Sequence, residues 1–258
     1  MRIDFENVDF AYYENKPIIK GLSSHFESGE TVALLGRNGA GKTTLFRLLL
    51  GILTPKSGDI LIEGKSTMEI SDKERAKLIS YIPQISGAAF PYTVLETVLM
   101  GTAPSFSIFA HPGKKETDKA LEALSLFGLE DMKDRTLESL SGGERQMVMI
   151  ARALAQDSKF VILDEPTSAL DYGNQILVLE MLERLRKKGI GLLFSTHNPE
   201  MAMRYSQRII ILDECTLHYD GTPDGLVDSD TLEKLYKREL YIKKIQTRKS
   251  SGYICIPE

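Results

Sequence analysis

Residues 31–44 read TVALLGRNGAGKTT. The first five are uncharged and nearly all apolar, as in a strand buried on both faces of a parallel sheet. The next nine fit G-x-x-x-x-G-K-S/T, placed where such a strand gives way to a helix. Glycines at 36, 39 and 41, with Asn38 between them, let backbone N–H groups wrap phosphate oxygens. Lys42 can reach the β and γ oxygens, Thr43 can ligate magnesium, and Thr44, the last residue of the stretch, is a candidate nucleotide contact with them. A ligand-free glycine turn would give the lysine and threonine no packing reason to be there. The stretch predicts an α/β fold built to hold a polyphosphate.

Further short apolar runs at 160–163, 191–194 and 208–212 alternate with helical patterns at 42–50, 142–155, 173–188 and 199–205. That is the signature of a mostly parallel sheet with helical crossovers. Ahead of it, the alternation of Ile3, Phe5, Val8 and Phe10, and a second run at 18–26, predict N-terminal antiparallel strands. From 82 to 140 the pattern is almost wholly helical, with clear segments at 94–100 and 114–127. This reads as a P-loop NTPase core over 1–220 with a helical subdomain inserted at about 86–155. A C-terminal extension, 221–258, holds one helix near 229–238 and a weakly patterned end.

Composition narrows the partners. With 258 residues, 42% hydrophobic, the chain can bury a full core. A formal charge of −4 without a long basic block argues against nucleic acid. Arg184, Arg186, Lys187 and Lys188 are best read as a solvated helix end. Cys215 and Cys255 lack metal-ligand spacing and are expected to be reduced thiols. The charged, alternating start MRIDFENVDF is expected to be a strand rather than a targeting segment. No apolar run approaches the ~20 residues that span a bilayer.

Three more stretches carry chemistry. FVILDEP, 160–166, delivers two carboxylates at a strand's C-terminal end: Asp164 suits magnesium and Glu165 suits proton abstraction from water. His197, in LLFSTHNPE, also follows a buried strand, which lifts it above His25, His111 and His218. Gln84, in YIPQISG, follows a short strand and can bond both metal and water. LSGGERQ, 140–146, puts a serine and two glycines before a helix, a ready anion site.

The ordered set GRNGAGKTT, PQ, LSGGERQ, FVILDEP, SALD and STH resembles the ATPase subunits of ABC transporters over 1 to about 220. The resemblance implies ATP and Mg²⁺ as cofactors, with Tyr12 stacking on adenine and Tyr13 a nearby competitor. It implies that Gln84 senses the γ-phosphate and contacts the permease, that Glu165 is the general base, and that His197 binds the γ-phosphate. Asp171 would lie in the loop joining two sites. Ser141 and Gly143 would bind the γ-phosphate held by a second copy in a head-to-tail homodimer.

Softer stretches, FPYTVLETVLMGTAPSFSIFAHP, DYGNQ and DGTPDGLVDSDTLEKLY, are similar to importer ATPases for iron chelates, haem and cobalamin. That implies integral-membrane permease subunits, an extracytoplasmic binding protein acting indirectly, and a peripheral place on the cytoplasmic face of the membrane. The small residues Gly87, Ala88 and Ala89 and the apolar helix start after them suit a groove for a permease helix. The competing expectation is a soluble ABC-type ATPase, for instance in iron–sulfur cluster assembly.

Overall fold

The computed structural model describes residues 1–84, 91–105, 112–168, 170–246 and 251–257. The groove residues 87–89 and His111 lie outside them. The chain forms two compact units: Met1–Ile70 with Leu185–Glu258, and Ser71–Arg184.

In the first unit the strand Thr31–Leu35 is buried at every residue. It is flanked in parallel by Gly191–Thr196 and Arg208–Asp213, and Thr216–Gly221 pairs antiparallel with the latter. Burial on both faces explains why these strands read as continuous apolar runs. Arg2–Tyr13 pairs antiparallel with Lys16–Glu27 on one side and Ser57–Ile62 on the other. Ile3 and Phe5 are buried, then Val8 and Phe10. The change from odd to even is a bulge, marked by a register shift between Phe5 and Val8 and by Asn7 at φ 47°. Opposite the bulge, a Cβ on Gly58 would stand 2.3 Å from the carbonyl oxygens of Glu6 and Asn7.

The C-terminal extension adds the short helices Pro223–Val227 and Thr231–Tyr236, then an antiparallel pair, Leu240–Gln246 with Ser251–Pro257. The helix expected over 229–238 is shorter because Lys237 turns left-handed at its end. The weakly patterned end is this strand pair. Its residues are mostly half-buried or exposed, so little hydrophobic core marks it.

In the second unit Ile79–Ile82 runs parallel to Phe160–Leu163. The helices Val94–Leu99 and Lys114–Ser125 pack on Gly142–Ala155, with Val94, Val98, Ala120, Leu124, Val148 and Ala151 buried. Two predicted helices were too long. The first ends at Leu99 and tightens into a 3-10 turn, Met100–Ser105, that holds Pro104; the second ends at Ser125. At Gly101 a Cβ would stand 2.0 Å from the carbonyl oxygen of Arg152, so this turn meets the backbone of the longer helix. The helix Asp72–Leu78 escaped the periodicity reading, although its capping box, Ser71 with Glu74, is written in the sequence. Tyr172–Lys187 leads from this unit back into the first. Among the described residues no helix is long and apolar enough to cross a membrane.

Candidate nucleotide site and signature helix

Leu35 pairs in register with Thr196 and with Ile211. Gly36 and His197 therefore leave neighbouring parallel strands at the same level, on the carboxyl edge where α/β ligands bind. A Cβ on Gly36 would lie 2.6 Å from the carbonyl oxygen of Leu212, which only glycine permits. Gly41 has φ 99°, and a Cβ there would meet Ile18 at 3.0 Å. The helix Lys42–Leu49 then starts without a side-chain cap and without an acidic residue in its first turn. It offers its positive end to an anion. Lys42 is buried, and its Nζ donates to the carbonyl oxygens of Gly36 at 2.7 Å and Arg37 at 3.2 Å. The ammonium is thus held inside the curve of the loop, while Asn38 is exposed.

Tyr12 reaches the same helix. Its hydroxyl lies 3.4 Å from Thr44 Oγ1 and its ring stands edge-on to Phe10, centroids 5.0 Å apart. Its neighbour Tyr13 is 74% exposed.

His197 is exposed on a turn fixed from both sides. The Asn198 N–H donates to Thr196 Oγ1 at 3.1 Å, and Asn198 Oδ1 caps the helix Pro199–Tyr205 by accepting from the Met201 N–H at 3.1 Å. Pro199 at the first helical position suits that start.

In the second unit the parallel register pairs Ile82 with Leu163, so Gln84 and the two carboxylates leave the same edge. The Asp164 N–H donates to the Ile82 carbonyl at 2.9 Å, and the Tyr81 hydroxyl donates to Asp164 Oδ2 at 3.4 Å. Asp164 is buried. Glu165 takes φ 47°, a left-handed conformation that costs a non-glycine residue about 1–3 kcal/mol and is retained where position matters. Gln84 Nε2 donates to Glu165 Oε2 at 3.5 Å, the outer limit of a hydrogen bond.

The signature helix Gly142–Ala155 begins on a capping box. Ser141 Oγ accepts from the Glu144 N–H at 3.2 Å, and Glu144 Oε2 accepts from the Ser141 N–H at 2.7 Å. The Ser141 amide first, and the Ser141 side chain second, hold the Glu144 carboxyl below its ordinary value. Asp171 is tied to this helix start through Asn174. Its Oδ1 accepts from the Asn174 N–H at 2.9 Å and its Oδ2 from Asn174 Nδ2 at 2.8 Å, and that Nδ2 lies 3.0 Å from where a Cβ on Gly143 would stand. Gln175 Nε2 donates to the carbonyls of Thr167 and Leu170, both at 3.2 Å.

The structure adds residues that the sequence reading passed over. Asn174 and Gln175 stand in DYGNQ, where polar side chains opening a helix after an aspartate were the available signal. Tyr81 and Tyr236 had none, because each acts through a hydroxyl set by tertiary contact. The Tyr236 hydroxyl donates to the His197 carbonyl at 2.9 Å.

A parallel strand, a glycine loop closing on a buried lysine, and acid-bearing strand ends define a P-loop nucleoside-triphosphatase. The ABC transporter family matches residues 19–168, and this chain belongs to it. An ABC transporter ATP-binding protein of Haemophilus influenzae is 39% identical over 237 residues, covering 92% of this chain and 90% of that protein. A Helicobacter pylori ATP-binding protein assigned to iron chelatin transport is 36% identical, over 93% of this chain and 94% of its own length. Among solved structures, an ABC transporter assigned to the metal-chelate type, in an inward-facing conformation, matches with a TM-score of 0.86 and 32% identity, over 99% of this chain and 97% of that one. The expected fold class, the ATP-binding subunit and its ATPase activity are borne out. The soluble alternative finds no support in these relatives.

Proposed function

We propose that this subunit powers an importer for an iron chelate or a chemically related metal complex, by closing around ATP as a head-to-tail homodimer and opening after hydrolysis. The observation that carries the ATPase chemistry is the register of Leu35 with Thr196, which sets the phosphate loop and His197 at one sheet edge. The import reading rests on relatives of the same length whose names include iron chelatin transport and a metal-chelate type transporter.

In this reading Tyr12 stacks on the adenine. Gly36, Asn38, Gly39, Gly41, Lys42, Thr43 and Thr44 hold the phosphates, and His197 bonds the γ-phosphate. Glu165 accepts the proton of the attacking water, and Gln84 orients that water. The Thr43 hydroxyl, the Asp164 carboxylate and the Gln84 amide oxygen are hard donors of the kind Mg²⁺ takes. When bound, the ion would neutralise charge on the phosphates. Ser141 and Gly143 complete the partner's site, and Asp171 sets Asn174 beside Gly143 as a relay within the second unit. Nucleotide is then part of the interface, so cleavage weakens the closed dimer.

The permease would be met through the second unit. There the helix Val94–Leu99 turns its apolar side chains inward against the signature helix, leaving Tyr92 and Met100 exposed beside it. The subunit would sit as a peripheral protein on the cytoplasmic face of the membrane, with an extracytoplasmic binding protein acting only through the permease.

The test is uptake and fractionation in the native cell. Lys42→Ala is expected to abolish ferric-chelate uptake, and the tagged wild-type chain to co-purify with a multi-span membrane protein from salt-strippable membranes. Unchanged uptake together with recovery wholly in the soluble fraction would refute the importer reading.

A further inference from the structure

The C-terminal extension reaches the turn that carries His197 through the Tyr236 hydroxyl. The helix after His197 takes Asn198 as its first acceptor, with the Ala202 N–H donating to the Asn198 carbonyl at 3.1 Å. The carbonyl of His197 therefore falls outside the helical ladder. It is met by the Tyr236 hydroxyl at 2.9 Å. Burial, and then the nearby Cys255, push that hydroxyl's pKa up to about 12, so it stays a donor across the working range.

The same helix is gripped a second time. The Cys255 N–H donates to Glu200 Oε1 at 2.8 Å, and the strand Ser251–Pro257 packs along Pro199–Tyr205. The extension is itself braced, because Asp224 accepts from Lys244 Nζ at 2.7 Å and from the Tyr253 hydroxyl at 2.8 Å. Two contacts from one braced segment thus fall within four residues of each other, on the turn that carries His197.

We propose that Tyr236 is a positioning residue for His197: its hydroxyl fixes the His197 peptide, and through it the C-terminal extension sets the rate of ATP cleavage. The inference rests on the reading of His197 as the γ-phosphate ligand. It goes beyond that reading by giving the extension a role in turnover. A purely structural bond would matter to folding alone, whereas a positioning bond loses rate without loss of nucleotide affinity, because a displaced group costs alignment in the transition state.

The experiment uses the full-length chain. Tyr236→Phe deletes only the oxygen, and Tyr253→Phe serves as a control that loosens the same extension away from His197. With histidine labelled at its carbonyl carbon, four resonances report the four histidines, and the His197→Ala variant identifies the one that belongs to His197. Tyr236→Phe is expected to move that resonance and to lower kcat by about three- to tenfold, the range one lost hydrogen bond allows. KM for ATP and the thermal midpoint should stay near wild type, and Tyr253→Phe should leave kcat unchanged. In the His197→Ala background, adding Tyr236→Phe should cost nothing more. An unchanged kcat in Tyr236→Phe overturns the proposal and leaves the role of His197 standing. An equal loss with and without His197 overturns it as well, since the hydroxyl then acts elsewhere. Wild-type turnover in His197→Ala would instead overturn the reading beneath it.

Discussion

Ser141 and Glu144 bond each other in both directions, amide to carboxylate at 2.7 Å and amide to hydroxyl oxygen at 3.2 Å. The serine side chain is thereby fixed at the positive end of the signature helix. The arrangement carries a pH dependence. Glu144 lies below its ordinary value of 4.5, first through the amide of Ser141 and then through its side chain. A carboxyl depressed by folding contributes stability above its unfolded value and loses it as pH falls through the folded value. Wild type should therefore melt above Glu144→Gln near neutral pH, and the gap should shrink once pH drops below 4.5. A gap that stays constant through that descent would contradict the assignment.

Glu165 stands one residue past a buried strand in a left-handed conformation, with Gln84 3.5 Å away. Glu165→Gln keeps the shape and removes the base. ATP binding should persist while turnover falls by on the order of a hundredfold or more. Steady-state phosphate release decides it, and comparable rates would remove Glu165 from the role.

Tyr12 and Tyr13 offer a controlled comparison on one strand. Only Tyr12 is placed against Thr44, while Tyr13 is 74% exposed. Tyr12→Ala should weaken ATP binding by roughly 1–3 kcal/mol, the range for stacking on a base, and Tyr13→Ala by much less. Calorimetry that finds equal losses would show the choice to be wrong.

Gly101 meets the signature helix where no side chain fits, with a Cβ 2.0 Å from the Arg152 carbonyl. Gly101→Ala should destabilise the chain by about 1–3 kcal/mol, as overpacking does. An unchanged urea midpoint would show that the turn gives way at no cost.

What could be read in advance divides along physical lines. The buried parallel strands and the phosphate loop were legible because burial on both faces and left-handed glycines demand particular residue types, as at Thr31–Leu35 and Gly41. The bulge at Asn7 escaped the sequence reading, in which Ile3, Phe5, Val8 and Phe10 form one alternation, although the step from Phe5 to Val8 changes parity. Helix ends were misplaced where the backbone tightened for tertiary reasons, as at Met100–Ser105. The Leu240–Gln246 and Ser251–Pro257 pair was missed because little of it is buried, so its residues show no strong alternation. Tyr236 was invisible for a related cause: nothing local in a sequence marks a hydroxyl that bonds a carbonyl 39 residues away.

The claim on which the account turns is that the signature of one chain completes the nucleotide site of another. Ser141→Arg chains, with an intact phosphate loop, are mixed with Lys42→Ala chains, with an intact signature, and Glu165→Gln in both prevents turnover. Each mixed head-to-tail dimer then has one whole site and one doubly broken site. Labelled ATP retained through size exclusion should reach about one per mixed dimer and almost none in either parent alone. Retention by Ser141→Arg chains alone, equal to that of chains carrying only Glu165→Gln, would contradict the account.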